Sequence, residues 1–196
     1  MTARVRLTAH ARRAQIIDEA TRLIGERGYY GFTLQQVADA CGVTVAGVLH
    51  HAGTKERLLL DVVEERDRRD EAWLRRREAD TPAVSLAGSM TLLHDLVVRN
   101  SEQPEIVRLY TMLRAESLLA EHPAHDFFDE RDRRAVALLT EMLDGLIADP
   151  RSTARQLFAW LGGFEEQWLR DPTAFDLVAE WDRAVVALLG VRPGEE

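Results

Sequence analysis

In the first third of this 196-residue chain, polar residues fall where they can recognise anions and base edges. Thr33 precedes Leu34-Gln35-Gln36, Thr44 precedes Val45-Ala46-Gly47, and Thr54 precedes Lys55. A threonine at each of these places caps a helix by accepting a backbone N–H two or three residues on. The capped ends at Thr33 and Thr54 turn the remaining N–H groups outward, an arrangement that suits phosphate. Lys55, the chain's one lysine, lies beside such an end, and His50-His51 close the helix between. The chemistry implied is non-covalent recognition rather than bond breaking.

Other candidate chemistry is sparse. His122-Pro123-Ala124-His125 has an H-x-x-H spacing, but the proline breaks the helix that would align the two rings, so a polar loop is the simpler reading. Glu165 and Glu166 are adjacent and point to different sides of a helix. Cys41 is alone, which excludes an intrachain disulfide and suits a small buried apolar group. There is no P-loop, dinucleotide fingerprint or catalytic triad pattern. No catalytic residue, metal ligand or cofactor is expected, and an enzyme is not.

Charge is distributed unevenly. The net is −8, yet residues 1–60 carry eight Lys and Arg against five Asp and Glu, while residues 61–196 carry 17 against 28. A mildly basic head on an acidic body fits a small segment that approaches DNA and a larger one that stays off it. No apolar run reaches the roughly 18 residues of a membrane span, and Met1 to Leu7 lacks the apolar region of a signal peptide. A cytoplasmic protein with no membrane partner is the expectation.

The elements that must position these residues are all helical. Apolar residues recur at three- and four-residue spacing, and no alternating strand pattern or Asn-Gly hairpin intervenes. About nine helices are predicted. The first runs from Thr8 to Arg27 and stops at Gly28. The second, Leu34 to Cys41, starts with a Thr33–Gln36 capping box and a Phe32–Val37 staple and ends at Gly42. The third follows Thr44 to about His50, and the fourth follows Thr54 to about Ala79, its charged middle from Glu64 to Glu71 expected in solvent. Asp80-Thr81-Pro82 is a break. Five more helices are predicted: Val84–Asn100, from Pro104 to about Glu121, Asp126–Ala148, from a Ser152 cap to Arg170, and from Thr173 or Ala174 to Leu189. The fold class is all-α, with a three-helix head over residues 1–60 and a helical body over residues 61–196.

Two short capped helices joined at Gly42, with small Ala38 at the crossing and Val37, Val43 and Val48 between them, form a helix-turn-helix pattern. From Arg12 to Leu59 the residues Ile17, Ala20, Gly28-Tyr29, Phe32-Thr33-Leu34-Gln35-Gln36-Val37-Ala38, Cys41-Gly42-Val43-Thr44, Thr54-Lys55-Glu56 and Leu58 closely resemble the tetracycline-repressor (TetR) family of regulators. The resemblance implies double-stranded operator DNA as a partner, contacted by Thr33, Gln35, Gln36, Thr44, Val45, Ala46, Gly47, Leu49, His50, His51, Thr54 and Lys55. It also implies a homodimer, a small-molecule effector and ligand-released repression. Two places depart from the family. Leu49 stands where a tyrosine usually bonds a phosphate, and Ala52 stands where an aromatic is usual; His50 or His51 is placed to replace the lost contact. Val48 is expected to pack inward and Val45 to remain available to the groove.

The body carries two further patterns. Helix eight has Leu157, Trp160, Leu161, Phe164 and Trp168, and helix nine has Trp181, Val185 and Leu188; this apolar coverage is wider than one core face requires and suits a four-helix dimer interface, with a buried monomer hairpin as the alternative. Trp73, Met90, His94, Tyr110, Met112, Phe128 and Met142 are large or polar-tipped groups that suit either an effector pocket or an ordinary core. The competing functional reading is a small-molecule-binding helical dimer whose head has weakened or lost its hold on DNA, motivated by Leu49 and Ala52.

Overall fold

The protein is described by a computed structural model covering residues 7–80 and 85–191. Among these residues the chain forms α1 (Ala9–Gly31), α2 (Leu34–Cys41), α3 (Val45–Ala52), α4 (Lys55–Asp80), α5 (Leu86–Ser101), α6 (Pro104–Glu116), α7 (His125–Leu143), α8 (Pro150–Arg170) and α9 (Leu177–Leu189), and no strand. The all-α expectation holds. The expected break at Thr81-Pro82 and the expected helix start at Val84 lie outside the described residues.

Local rules set most boundaries in the head. Thr33 Oγ1 accepts the Gln36 N–H while Gln36 Oε1 accepts the Thr33 N–H, completing the capping box. Phe32 and Val37 are both fully buried in one cluster. Gly42 takes a left-handed conformation, φ 64°, which lets the chain turn between α2 and α3.

Several helix ends differ from the sequence reading. Gly28 does not end α1: it is a kink at φ 71° and ψ 175°, and the helix resumes to Gly31. The sixth helix stops at Glu116, because His125 Nδ1 meets the Ser117 carbonyl and the chain folds through short turns. The seventh stops at Leu143, just before left-handed Gly145. Asp149, not Ser152, caps α8; its carboxylate accepts the Ser152 N–H, with Pro150 at the first helical position. Asp171 binds the N–H and hydroxyl of Thr173, which delays α9 until the Asp176 cap.

Two apolar clusters fill the interior. The first joins Ile16, Ala20 and Ile24 of α1, Val37, Val48, Leu58 and Leu59 to Leu109 and Leu113 of α6 and Phe128 of α7. The second joins Met90 and Val97 of α5, Leu143 of α7, Leu157 and Trp168 of α8, and Trp181 and Val185 of α9. The helices of the head thus pack directly on the body: α1 lies so close to α6 that a Cβ at Gly25 would stand 3.1 Å from the Glu105 carbonyl.

Gly28 is the tightest point of this packing. Its dihedrals belong to a region essentially restricted to glycine, and a Cβ there would overlap the Glu116 carboxylate. Gly28→Ala is expected to destabilise the fold by at least about 1–3 kcal/mol from backbone strain alone, read as a fall of several degrees in Tm by circular dichroism. An unchanged Tm would show that the kink relaxes freely.

Candidate nucleic-acid interface

The outer surface of α3 is built by its cap and its burial pattern. Thr44 Oγ1 accepts the Gly47 N–H at 3.1 Å, fixing the first turn, and Val48 on the inner face is fully buried. Thr44, Ala46, Leu49 and His50 remain exposed, Leu49 at 40%, and His51 is half-buried with its ring edge-to-face on His50 at 5.2 Å. Val45 is partly buried and packs against the head core, so less of it faces outward than the sequence reading expected. Ala52 is buried, and an aromatic ring at that place would have to displace core side chains. On α2, Gln35 is exposed and bonds Asp39 at 2.7 Å, whereas Gln36 is half-buried and spent on the capping box.

Thr54 caps α4 through the Arg57 N–H at 3.1 Å. Lys55 next to it does not extend freely into solvent. Its ammonium sits 4.5 Å from the Phe32 ring centroid and 4.7 Å from that of Tyr29, and burial there holds its pKa below the ordinary lysine value. Tyr29 in turn donates its hydroxyl to Glu56, and burial together with that carboxylate pushes its pKa up to about 12. Arginines on α1 and α4 brace the head in a way sequence reading missed. Arg12 bonds the Cys41 carbonyl at 3.0 Å, and buried Asp61 receives both Arg13 and Arg57. Only the Arg57–Asp61 spacing, one helical turn, was visible as a local signal.

Residues 16–62 match the bacterial regulatory proteins of the tetR family. The head of this chain is therefore that of a TetR-family regulator. The KstR2 transcriptional repressor of Mycobacterium tuberculosis is 24% identical over 97% of this chain and 86% of its own length. The crystal structure of a TetR-family regulator from Agrobacterium tumefaciens superposes with a TM-score of 0.77 at 16% identity, over 95% of this chain and 100% of that one. AibR, solved in complex with isovaleryl coenzyme A and operator DNA, gives 0.67 at 28% identity over 91% and 97%.

In the body, helices α4 to α9 line a cavity of about 250 Å³. Of the residues expected at a pocket, Tyr110 and Met142 line it. The other five lie elsewhere. Met90 and Phe128 are core. Trp73 stacks under the Arg99 guanidinium, His94 bonds Asp182 at 2.8 Å, and Met112 stands against the Gly28 kink. The stretch from Glu64 to Glu71 is not uniformly solvated as expected. Arg66 is only 9% exposed, Asp70 lies between Arg66 and Arg99, and Asp67 receives Tyr110 and Arg131. Partners on α5, α6 and α7 draw one side of this stretch inward.

The expected interface residues divide in the same way. Leu157, Trp168, Trp181 and Val185 are buried within the single chain and cannot also cover a partner's surface. Trp160, Leu161, Phe164 and Leu188 are half-exposed, with Leu161 on the cavity wall. His122 and His125 do not converge: His122 Nδ1 accepts the Ala124 N–H and His125 Nδ1 meets the Ser117 carbonyl. No helix among the described residues is long and apolar enough to cross a membrane.

Thr44 is the exposed residue of the head whose structural role is clearest. Thr44→Ala removes the α3 cap, an expected loss of about 0.5–2 kcal/mol, and should lower Tm by a few degrees while leaving helix content intact. Equal Tm values for the two proteins would mean that the cap is compensated elsewhere.

Proposed function

We propose that the protein is a ligand-responsive repressor that binds a palindromic operator as a homodimer. Residues 1–60 form the reading head, and residues 61–196 form the sensing and dimerising body. The observation that carries this reading is the α2–α3 unit, whose turn at Gly42 and buried Val37, Ala38 and Val48 leave one face of α3 open. A helix presented in this way suits the major groove, with its N-terminal residues at base edges.

On this reading Thr44 and His50 supply the polar contacts of α3, and Ala46 and Leu49 meet thymine methyls. The capped N-termini after Thr33 and Thr54 hold phosphates, with Gln35, Gln36, Val45, Gly47 and His51 alongside. Lys55 reaches a phosphate once its ammonium leaves the rings of Tyr29 and Phe32. Val45, Ala46 and Gly47 bring no side-chain donors, so sequence preference depends partly on DNA shape. The cavity holds the effector, as AibR was solved with both an acyl-coenzyme A and operator DNA. An occupant shifts head separation through α4, and through α6 where it meets the end of α1, provided it binds the two states unequally.

Fluorescence anisotropy with DNA from upstream of the protein's own gene, titrated at several salt concentrations, tests the head. Nanomolar binding with a steep salt dependence is expected. Lys55→Ala should weaken binding on all sequences and lower the salt slope by about one. An unchanged slope would leave Lys55 as an aromatic clamp only, and a wild-type protein that binds no such DNA would favour the competing reading of a ligand-binding dimer with a disabled head.

The dimer is tested on α8. A Cβ at Gly163 meets no atom within 4 Å in the single chain, while Trp160 and Phe164 nearby are half-exposed. Gly163→Leu should therefore leave the monomer fold intact and disrupt a close helix–helix interface. Sedimentation is expected to show a wild-type dimer and a Gly163→Leu monomer at micromolar concentration; a dimer in both would place the interface elsewhere.

A further inference from the structure

The wall of the cavity has an uneven inventory of polar groups. Leucines from α4, α5, α7 and α8, with Phe158 and Met142, make most of it apolar. The charged and polar residues on the wall are Arg66, Asp70 and Glu78 from α4, Asn100 from α5, Tyr110, Thr111 and Arg114 from α6, Arg131 from α7 and Glu165 from α8. Most acceptors among them are already engaged. Asp70 receives Arg66 at 3.0 Å as well as Arg99, and Asp67 behind the wall receives Tyr110 and Arg131. Glu165 receives the Asn100 amide at 2.6 Å.

Among the described residues, two donors on the wall stand without partners, and behind it Asp132 Oδ1 is an unpartnered acceptor. Trp181 is 1% exposed and lines the cavity, yet its Nε1 has no acceptor among the described residues; the same holds for Nε of Arg66. Buried donors without partners are rare enough to need an explanation. Charge points the same way. Four guanidinia, of Arg66, Arg99, Arg114 and Arg131, are matched by three carboxylates, of Asp67, Asp70 and Asp132. The fourth carboxylate is Glu165, which among the described residues pairs with no arginine within salt-bridge distance and whose burial raises its pKa to about 7. With Glu165 ionised these eight groups sum to zero, and with it protonated to one positive charge; Glu78 stands apart from them at the solvent-exposed rim.

We propose that this cavity binds a small, mainly apolar monocarboxylate and that Glu165 takes up a proton as the carboxylate enters. This identifies the class of effector for the sensing site and rests on that reading of the body. The ligand carboxylate supplies the acceptors that the donors lack, and its negative charge replaces that of Glu165, so the site is neutral empty and full. The volume, room for about eight water-sized groups, sets the size at roughly four to eight carbons.

The test is isothermal titration of the full chain with straight and branched monocarboxylates of that size, and with their primary amides and amines. It is run at pH 6 and pH 8 in buffers of different ionisation enthalpy. These acids stay ionised throughout, so pH acts through the protein. A bound anion favours protonated Glu165, so affinity should fall about tenfold from pH 6 to pH 8, with close to one proton taken up at pH 8. Glu165→Gln should keep binding and lose the pH dependence. Trp181→Phe, which keeps an aromatic ring but removes the donor, should weaken the carboxylate more than the amide.

Tighter binding of the amines, no binding of any carboxylate, or carboxylate binding with equal pH dependence in Glu165→Gln would each overturn the proposal. The sensing role fails separately. A carboxylate that binds as described but leaves operator affinity unchanged would keep the ligand assignment and remove the regulatory one.

Discussion

Head and body are joined where one carboxylate meets the end of a kinked helix. Glu116, the last residue of α6, accepts the Tyr29 N–H at 3.0 Å just after the Gly28 kink. Only a residue without a Cβ leaves room for that carboxylate, and only a break in helical dihedrals frees the N–H to reach it. The ring of Tyr29 then lies under Lys55, and its hydroxyl reaches Glu56, both in the first turn of α4. Buried His122 closes the other side, with Nε2 3.6 Å from Glu116 and its pKa lowered by burial. A movement of α6 relative to α4 would thus be felt at the base of the head, without passing along α4 alone.

This junction also explains the position of Lys55. The lysine is drawn onto two rings by the contacts that anchor α1 on α6, and the same rings shield it from water. Desolvation and cation–π attraction act on it in opposite senses, the first disfavouring its charge and the second favouring it, and the rings keep the ammonium at the junction. Leu49 on α3 is 40% exposed and takes no part in the buried scaffold of the head.

In the body, α4 has two tasks that its sequence shows as one charged run. Glu65, Arg68 and Arg69 pair among themselves near the surface, while Arg66, Asp67 and Asp70 turn inward to partners on three other helices. The inward pairs are costly to desolvate and are kept in place by mutual bonding, which gives the cavity a polar edge fixed in position. Glu165 on that edge is paired with the Asn100 amide rather than with a guanidinium, and its pKa is raised to about 7 by desolvation.

The sequence by itself determined the head. Caps at Thr33, Thr44 and Thr54, the staple of Phe32 on Val37 and the turn at Gly42 depend on residues three to five apart, and so do the inward faces of α2 and α3. Such signals need no knowledge of distant chain. The family resemblance over the same residues was legible for that reason. Tertiary structure decided the rest. Leu157 and Trp160 look alike in an amphipathic pattern, but which one enters the core is set by how α6, α7 and α9 pack on α8. The cavity owes its polar edge to pairs such as Asp67 with Arg131 and Asn100 with Glu165, more than 60 residues apart. A charged residue carries no mark in its own neighbourhood of whether a partner that distant will draw it out of water.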